Sequence, residues 1–193
     1  MAPTLDHPGD RVISPSKLAH LVLRTNNFAA MRAYYMTFLG ATPAFENEFL
    51  CFLRYDDEHH RLGLLSIPQI GPKNPGTSGL EHISFTYDTL EQLALAYLQR
   101  QQHGIEPYWC INHGPTTSVY YKDPDGNSLE TQVDNLDDAG AEAFMLSKQY
   151  QINPFGVDFK MDDLIARLKA GEADESIKKI PGSGPRGFDT MPM

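Results

Sequence analysis

Cysteine is nearly absent from this chain: Cys51 and Cys110 are the only two in 193 residues. Each lies inside a strand-like run, which argues against a disulfide-stapled scaffold and for two buried, reduced thiols in a cytoplasmic protein. Basic residues are scarce too, with 16 Lys and Arg against 25 Asp and Glu and a formal net charge of -9. Neutralising a phosphate backbone needs the opposite surplus, so no nucleic-acid partner is expected. No apolar run approaches the roughly 20 residues of a helical membrane span, so no membrane is expected either. The stretch Met1–Ser16 carries Pro3, Asp6, Pro8 and Asp10 and no apolar segment. It reads as a flexible arm rather than a secretion signal. What remains is an ordinary globular composition, 41% hydrophobic and 21% charged, in a chain long enough for one domain or two small ones.

Histidine is in better supply, with seven residues, and two of them mark a repeat. Lys17–Thr25 reads KLAHLVLRT and Gly79–Tyr87 reads GLEHISFTY, each an alternating β-prone run with His at the same place. A polar break suited to a helix start follows each run, Asn26-Asn27 and Asp88-Thr89. A helical stretch then ends at Gly40 or Gly104. An aromatic-ending run follows each glycine, then two more strand-like runs. These are Glu48–Tyr55 and Leu62–Ile67 in the first half, Thr117–Lys122 and Ser128–Asp134 in the second. The spacing predicts an α+β fold of two tandem βαβββ modules, residues 17–67 and 79–134, joined by the Pro/Gly-rich linker 68–78. Side by side they form a curved, cleft-bearing sheet with helices outside. Beyond lie a helical C-terminal extension, 135–172, with helices over Asp137–Gln149 and Lys160–Ala170, and a mobile Gly/Pro-rich tail, 173–193.

Strand parity then picks out a site. Alternate residues share a face, so Ile83, Phe85 and Tyr87 go to the helix and His82 to the concave side. The same split sends His20 to the concave side of the first module. In the last strand, Leu129 goes to the apolar side and Glu130 to the concave one. A carboxylate inside a strand is costly to bury unless paired or bound to a metal. A lone strand histidine is more often a satisfied core residue than a ligand, but two at matched positions beside Glu130 point to a divalent-metal site. Two His and one carboxylate with open positions suit non-haem Fe(II), and also Mn(II) or, less well, Zn(II). The remaining His7, His59, His60 and His103 are expected at the surface, and His113 sits in a loop near the cleft.

The stretch Tyr120–Glu130, YYKDPDGNSLE, resembles the turn and strand that deliver the metal-binding glutamate in the vicinal oxygen chelate superfamily. The resemblance covers about Leu18 to Asp134. It implies His20, His82 and Glu130 as metal ligands. Glyoxalase-type members place a carboxylate at a fourth corner; aligning Leu62–Ile67 on the last strand puts Leu64 there, which cannot ligate. Extradiol ring-cleavage dioxygenases use His, His and Glu, with a tyrosine ten residues before the glutamate, where Tyr120 stands. That branch implies Fe(II), a catechol-like substrate and O₂, with Tyr120 and His113 as catalytic groups and Phe52, Trp109 and Ser118 against the substrate. The family's histidine upstream of the second ligand would fall near Ile67–Gln69, where there is none. A divalent-metal isomerase, epimerase or lyase and a non-catalytic binding protein are the alternatives on the same scaffold. A homodimer is a further expectation of the resemblance.

Overall fold

The computed structural model describes residues 4–192; residues 1–3 of the expected arm and 193 of the expected tail lie outside them. The first module runs β1 (Leu21–Thr25), α1 (Phe28–Leu39), β2 (Thr42–Glu46), β3 (Leu50–Arg54) and β4 (Leu62–Ser66). The second runs β5 (His82–Thr86), α2 (Leu90–Gln101), β6 (Trp109–Asn112), β7 (Thr116–Lys122) and β8 (Ser128–Asp134). Local chemistry sets the helix ends. The Thr89 hydroxyl accepts from the Gln92 N–H at 3.1 Å, and the Gln92 side chain reaches back to the Asp88 N–H at 3.0 Å, a capping-box exchange. The first helix ends at Gly40, left-handed at φ 60°.

Two sheets form, ordered β1-β4-β3-β2 and β5-β8-β7-β6 with a further strand, β9 (Val157–Asp158), beside β6. The two βαβββ modules expected from the sequence are present, each contributing one sheet. Both β1 and β5 are edge strands, and among the described residues they do not pair with each other. The modules are joined by side chains instead. Met31, Tyr35 and Phe38 of α1 and Leu90, Leu93 and Tyr97 of α2 share one core with Tyr121 and Leu129. The Phe38 ring meets Tyr121 edge-on at 5.1 Å.

Arg100 crosses this junction and is 2% exposed. Its Nε and Nη2 donate to the Phe38 carbonyl at 3.0 and 2.7 Å, and Nη2 also donates to the Tyr87 hydroxyl at 2.8 Å. The Phe38 carbonyl belongs to the last turn of α1, where carbonyls lack helical partners and the helix dipole favours a cation.

The loop before β8 supplies a second tie. Asp123 accepts from the Tyr35 hydroxyl at 2.8 Å across the modules, and from the N–H groups of Asp125 and Asn127 at 3.0 and 2.8 Å. Removing it orphans several buried donors at once. Asp123→Ala is expected to cost about 3 kcal/mol, read as a drop of about 6–12 °C in thermal midpoint.

The extension departs from expectation in one place. The helix expected over Asp137–Gln149 is broken into α3 (Asp138–Met145) and α4 (Lys148–Ile152). The Ser147 hydroxyl accepts from the Tyr150 N–H at 3.2 Å and starts a new helix there. The tail expected to be mobile is largely exposed but makes several contacts. After α5 (Met161–Lys169), a short α6 (Asp174–Lys178) buries Ile177, and Arg186 pairs with both oxygens of Asp158. No helix among the described residues is long and apolar enough to cross a membrane.

Candidate active site

Register places the polar groups in one row. Ser84 of β5 lies opposite Glu130 of β8, which lies opposite Tyr120 of β7, which lies opposite Trp109 of β6. His82 and Ser118 sit two residues from Ser84 and Tyr120 and so share that face. Glu130 is the centre, 5% exposed. Its Oε2 stands 3.2 Å from His82 Nε2, and its Oε1 accepts from the Tyr120 hydroxyl at 2.9 Å. Burial alone would raise its pKa. Hydrogen bonds from His82, Ser118, Ser84 and Tyr120 outweigh that and hold the carboxyl at about 2. His82 is raised in turn, first by its bond to Glu130. Burial, with Glu130 beside it, pushes Tyr120 well above the ordinary phenol range.

His113 is brought to the same group. Its Nε2 is 3.0 Å from the Tyr120 hydroxyl, and its Nδ1 faces the Phe155 carbonyl at 2.5 Å. Burial lowers its pKa, which favours the neutral ring. The Tyr120 hydroxyl thus has one proton and two neighbours able to take it, Glu130 and His113. The Trp109 ring stacks on Tyr120 at 4.9 Å, and its Nε1 donates to Asp158 at 2.8 Å.

The matching row of the first module has no polar side chain. Val22 of β1 lies opposite Gly63 of β4, Gly63 opposite Phe52 of β3, and Phe52 opposite Phe45 of β2. The counterpart of Glu130 is therefore Gly63, which corrects the alignment on Leu64; Leu64 points into the core, fully buried. A one-residue slip reverses the face of a strand residue, and the parallel pairing with β1 decides it. The space above Gly63 is taken: a Cβ there would stand 3.1 Å from Val22 and 3.3 Å from Phe52.

His20 lies apart from His82 and Glu130. Among the described residues, the set of three metal-capable groups within 4.8 Å of one another is His20, His59 and His60. His20 does line, with Ser84, a cavity of about 170 Å³ at the seam of β1 and β5. Ser84 in turn hydrogen-bonds Glu130. His60 was expected at the surface, but it is 9% exposed. It is packed between Phe52 and His20, each ring centre 4.3 Å away. The available signal was position alone: His60 stands two residues before β4, on the parity of Leu62. Ser84 and the Phe155 carbonyl were also missed, the latter because a backbone group carries no residue signature.

The donors at Glu130 suit a divalent metal: a buried carboxylate kept ionised, with the His82 imidazole beside it. The Glyoxalase/Bleomycin resistance protein/Dioxygenase superfamily model matches residues 17–131. A Rhodococcus globerulus protein named biphenyl-2,3-diol 1,2-dioxygenase 2 is 45% identical over 157 residues, 80% of this chain and 83% of that protein. A second, biphenyl-2,3-diol 1,2-dioxygenase 3 of the same organism, is 41% identical over 83% of this chain and 86% of its own length. A lactoylglutathione lyase from Agrobacterium tumefaciens shares the fold, with TM-score 0.50 and 22% identity over 62% of this chain and 94% of its own. From its modules, its polar row and these likenesses, the chain belongs to the Glyoxalase/Bleomycin resistance protein/Dioxygenase superfamily.

Proposed function

We propose that this protein is an extradiol-type ring-cleavage dioxygenase. It opens a catechol-like aromatic diol with O₂ at a divalent metal, most simply Fe(II), held by His20, His82 and Glu130. One observation carries the reading: the two matched rows differ completely in character. The second module presents His82, Glu130, Tyr120 and His113, and the first presents Val22, Phe52 and Phe45 around Gly63. An aromatic ring with two adjacent oxygens has the same asymmetry. The two R. globerulus relatives, both named biphenyl-2,3-diol 1,2-dioxygenases, support the same substrate class.

A bound metal supplies acidity to the diol and a common anchor for diol and O₂. The rest falls to the chain. Phe52 and Val22 pack the ring, and Phe52 in turn braces His60 beside His20. Tyr120, with His113 behind it, takes up or returns a proton at the phenolic hydroxyl. Trp109 and Ser118 border the polar end, where Met191 packs against Trp109 and Tyr120 and helps to exclude water. Gly63 at the fourth corner disfavours an isomerase that needs a further carboxylate as base. A cytoplasmic setting fits the two free thiols.

The test is metal analysis of protein purified without chelator, followed by oxygen uptake with catechol and with biphenyl-2,3-diol. Stoichiometric iron and oxygen consumed in step with diol are expected. Bound Ni, Co or Mn without oxygen uptake would overturn the reading in favour of a non-redox enzyme. Protein that takes up no metal would leave a binding protein.

A further inference from the structure

The family match ends at residue 131, yet a turn beyond it reaches the site. Asn153 is 4% exposed. Its Oδ1 accepts from the N–H groups of Phe155 and Gly156 at 3.1 and 2.8 Å. Its Nδ2 donates to the Gly156 carbonyl at 2.8 Å and to the Ser183 hydroxyl at 2.7 Å. Arg186 reaches the same carbonyl at 3.3 Å while paired with Asp158. The turn is thus tied from inside and from the tail.

It is also pressed against the end of β6 and His113 just after it. Gly156 has φ +106°, and a Cβ there would stand 2.1 Å from the Asn112 carbonyl oxygen and 2.7 Å from His113 Cα. Only glycine permits that approach. The approach sets the Phe155 carbonyl on His113 Nδ1. A carbonyl only accepts, so Nδ1 carries the proton of the neutral ring and Nε2 is left as a free acceptor beside the Tyr120 hydroxyl, whose one proton is directed at Glu130. The other tautomer would set an N–H against the Tyr120 hydroxyl and remove that acceptor.

We propose that the turn Asn153–Gly156 is a positioning element of the active site, its Phe155 carbonyl selecting the His113 tautomer that can accept the Tyr120 proton. The role of that proton rests on the dioxygenase reading; the tautomer does not. Asn153 and Gly156 are positioning residues, since neither faces the substrate cleft.

Two-bond ¹H–¹⁵N spectra of metal-free, ¹⁵N-histidine-labelled protein read the tautomer directly, with His113→Asn to assign the signal. Native His113 is expected with its proton on Nδ1. Gly156→Ala should convert it to a mixture or to the Nε2–H form, with the circular dichroism spectrum and metal content unchanged. In the metal-loaded enzyme kcat should fall about 10²-fold, with KM little altered. Should Gly156→Ala fail to fold, Asn153→Asp keeps the acceptor and loses both donations, and it should shift the tautomer the same way. A native Nε2–H form, an unchanged tautomer in the variant, or a changed tautomer with native kcat each overturns the proposal. If the tautomer responds while wild-type protein cleaves no catechol, the selection of the tautomer stands and the dioxygenase reading falls.

Discussion

Glu130→Ala is expected to abolish metal retention and ring cleavage while leaving a folded protein. Glu130 is where the cleft's hydrogen bonds meet: His82 on one oxygen, Tyr120 on the other, with Ser84 and Ser118 beside them. These groups keep it ionised in spite of burial, and an ionised, buried carboxylate is the strongest anchor for a divalent cation on this face. Alanine removes that charge and leaves only imidazoles. The loss should exceed the roughly 10–100-fold that removal of an outer partner of a metal ligand costs. The fold should survive, because Glu130 faces the cleft while its neighbour Leu129, fully buried, holds β8 in the core. His82→Ala should likewise strip the metal. Both are checked by metal content after dialysis, oxygen uptake and the cooperativity of urea unfolding. Metal that stays bound in both variants would rule out this ligand set and direct attention to His20, His59 and His60.

The second large effect concerns stability. Arg100→Ala is expected to lower the free energy of unfolding by about 3–5 kcal/mol, the range for losing a buried partner together with side-chain volume. The guanidinium satisfies the Phe38 carbonyl twice and Tyr87 once, and lies 3.9 Å over the Phe38 ring. Arg100→Met separates charge from volume. Methionine fills much of the same space and carries no buried cation, which is itself a gain, but the Phe38 carbonyl and Tyr87 hydroxyl lose their donor. An intermediate cost of about 2 kcal/mol follows. Urea midpoints at constant slope measure both. A methionine variant as stable as the native protein would show that Arg100 contributes packing alone.

Much of this was legible from local pattern. Period-2 alternation placed β1 and β5, and apolar spacing with Thr89 and Gly40 as end residues placed the two helices, because those signals act within a few residues. The internal repeat put His20 and His82 at equivalent positions, and parity put Glu130 and Tyr120 on one face. What failed were questions of partner. Leu64 instead of Gly63 at the fourth corner was an error of register, which the facing strand decides. His60 looked like a turn residue until Phe52 and His20 closed around it.

By itself, then, the sequence determined the modules, their order and the chemical types available to the cleft, since each follows from short-range spacing and side-chain chemistry. Only the tertiary structure decided which of those groups meet. It closed the modules through Arg100 and Phe38 rather than through one continuous sheet. It brought a turn from the C-terminal extension onto His113, and it gave the first module an apolar row where the second has a polar one. Those outcomes depend on contacts between residues far apart in the chain, such as Phe155 with His113 and Arg186 with Asp158, whose energies no local window contains.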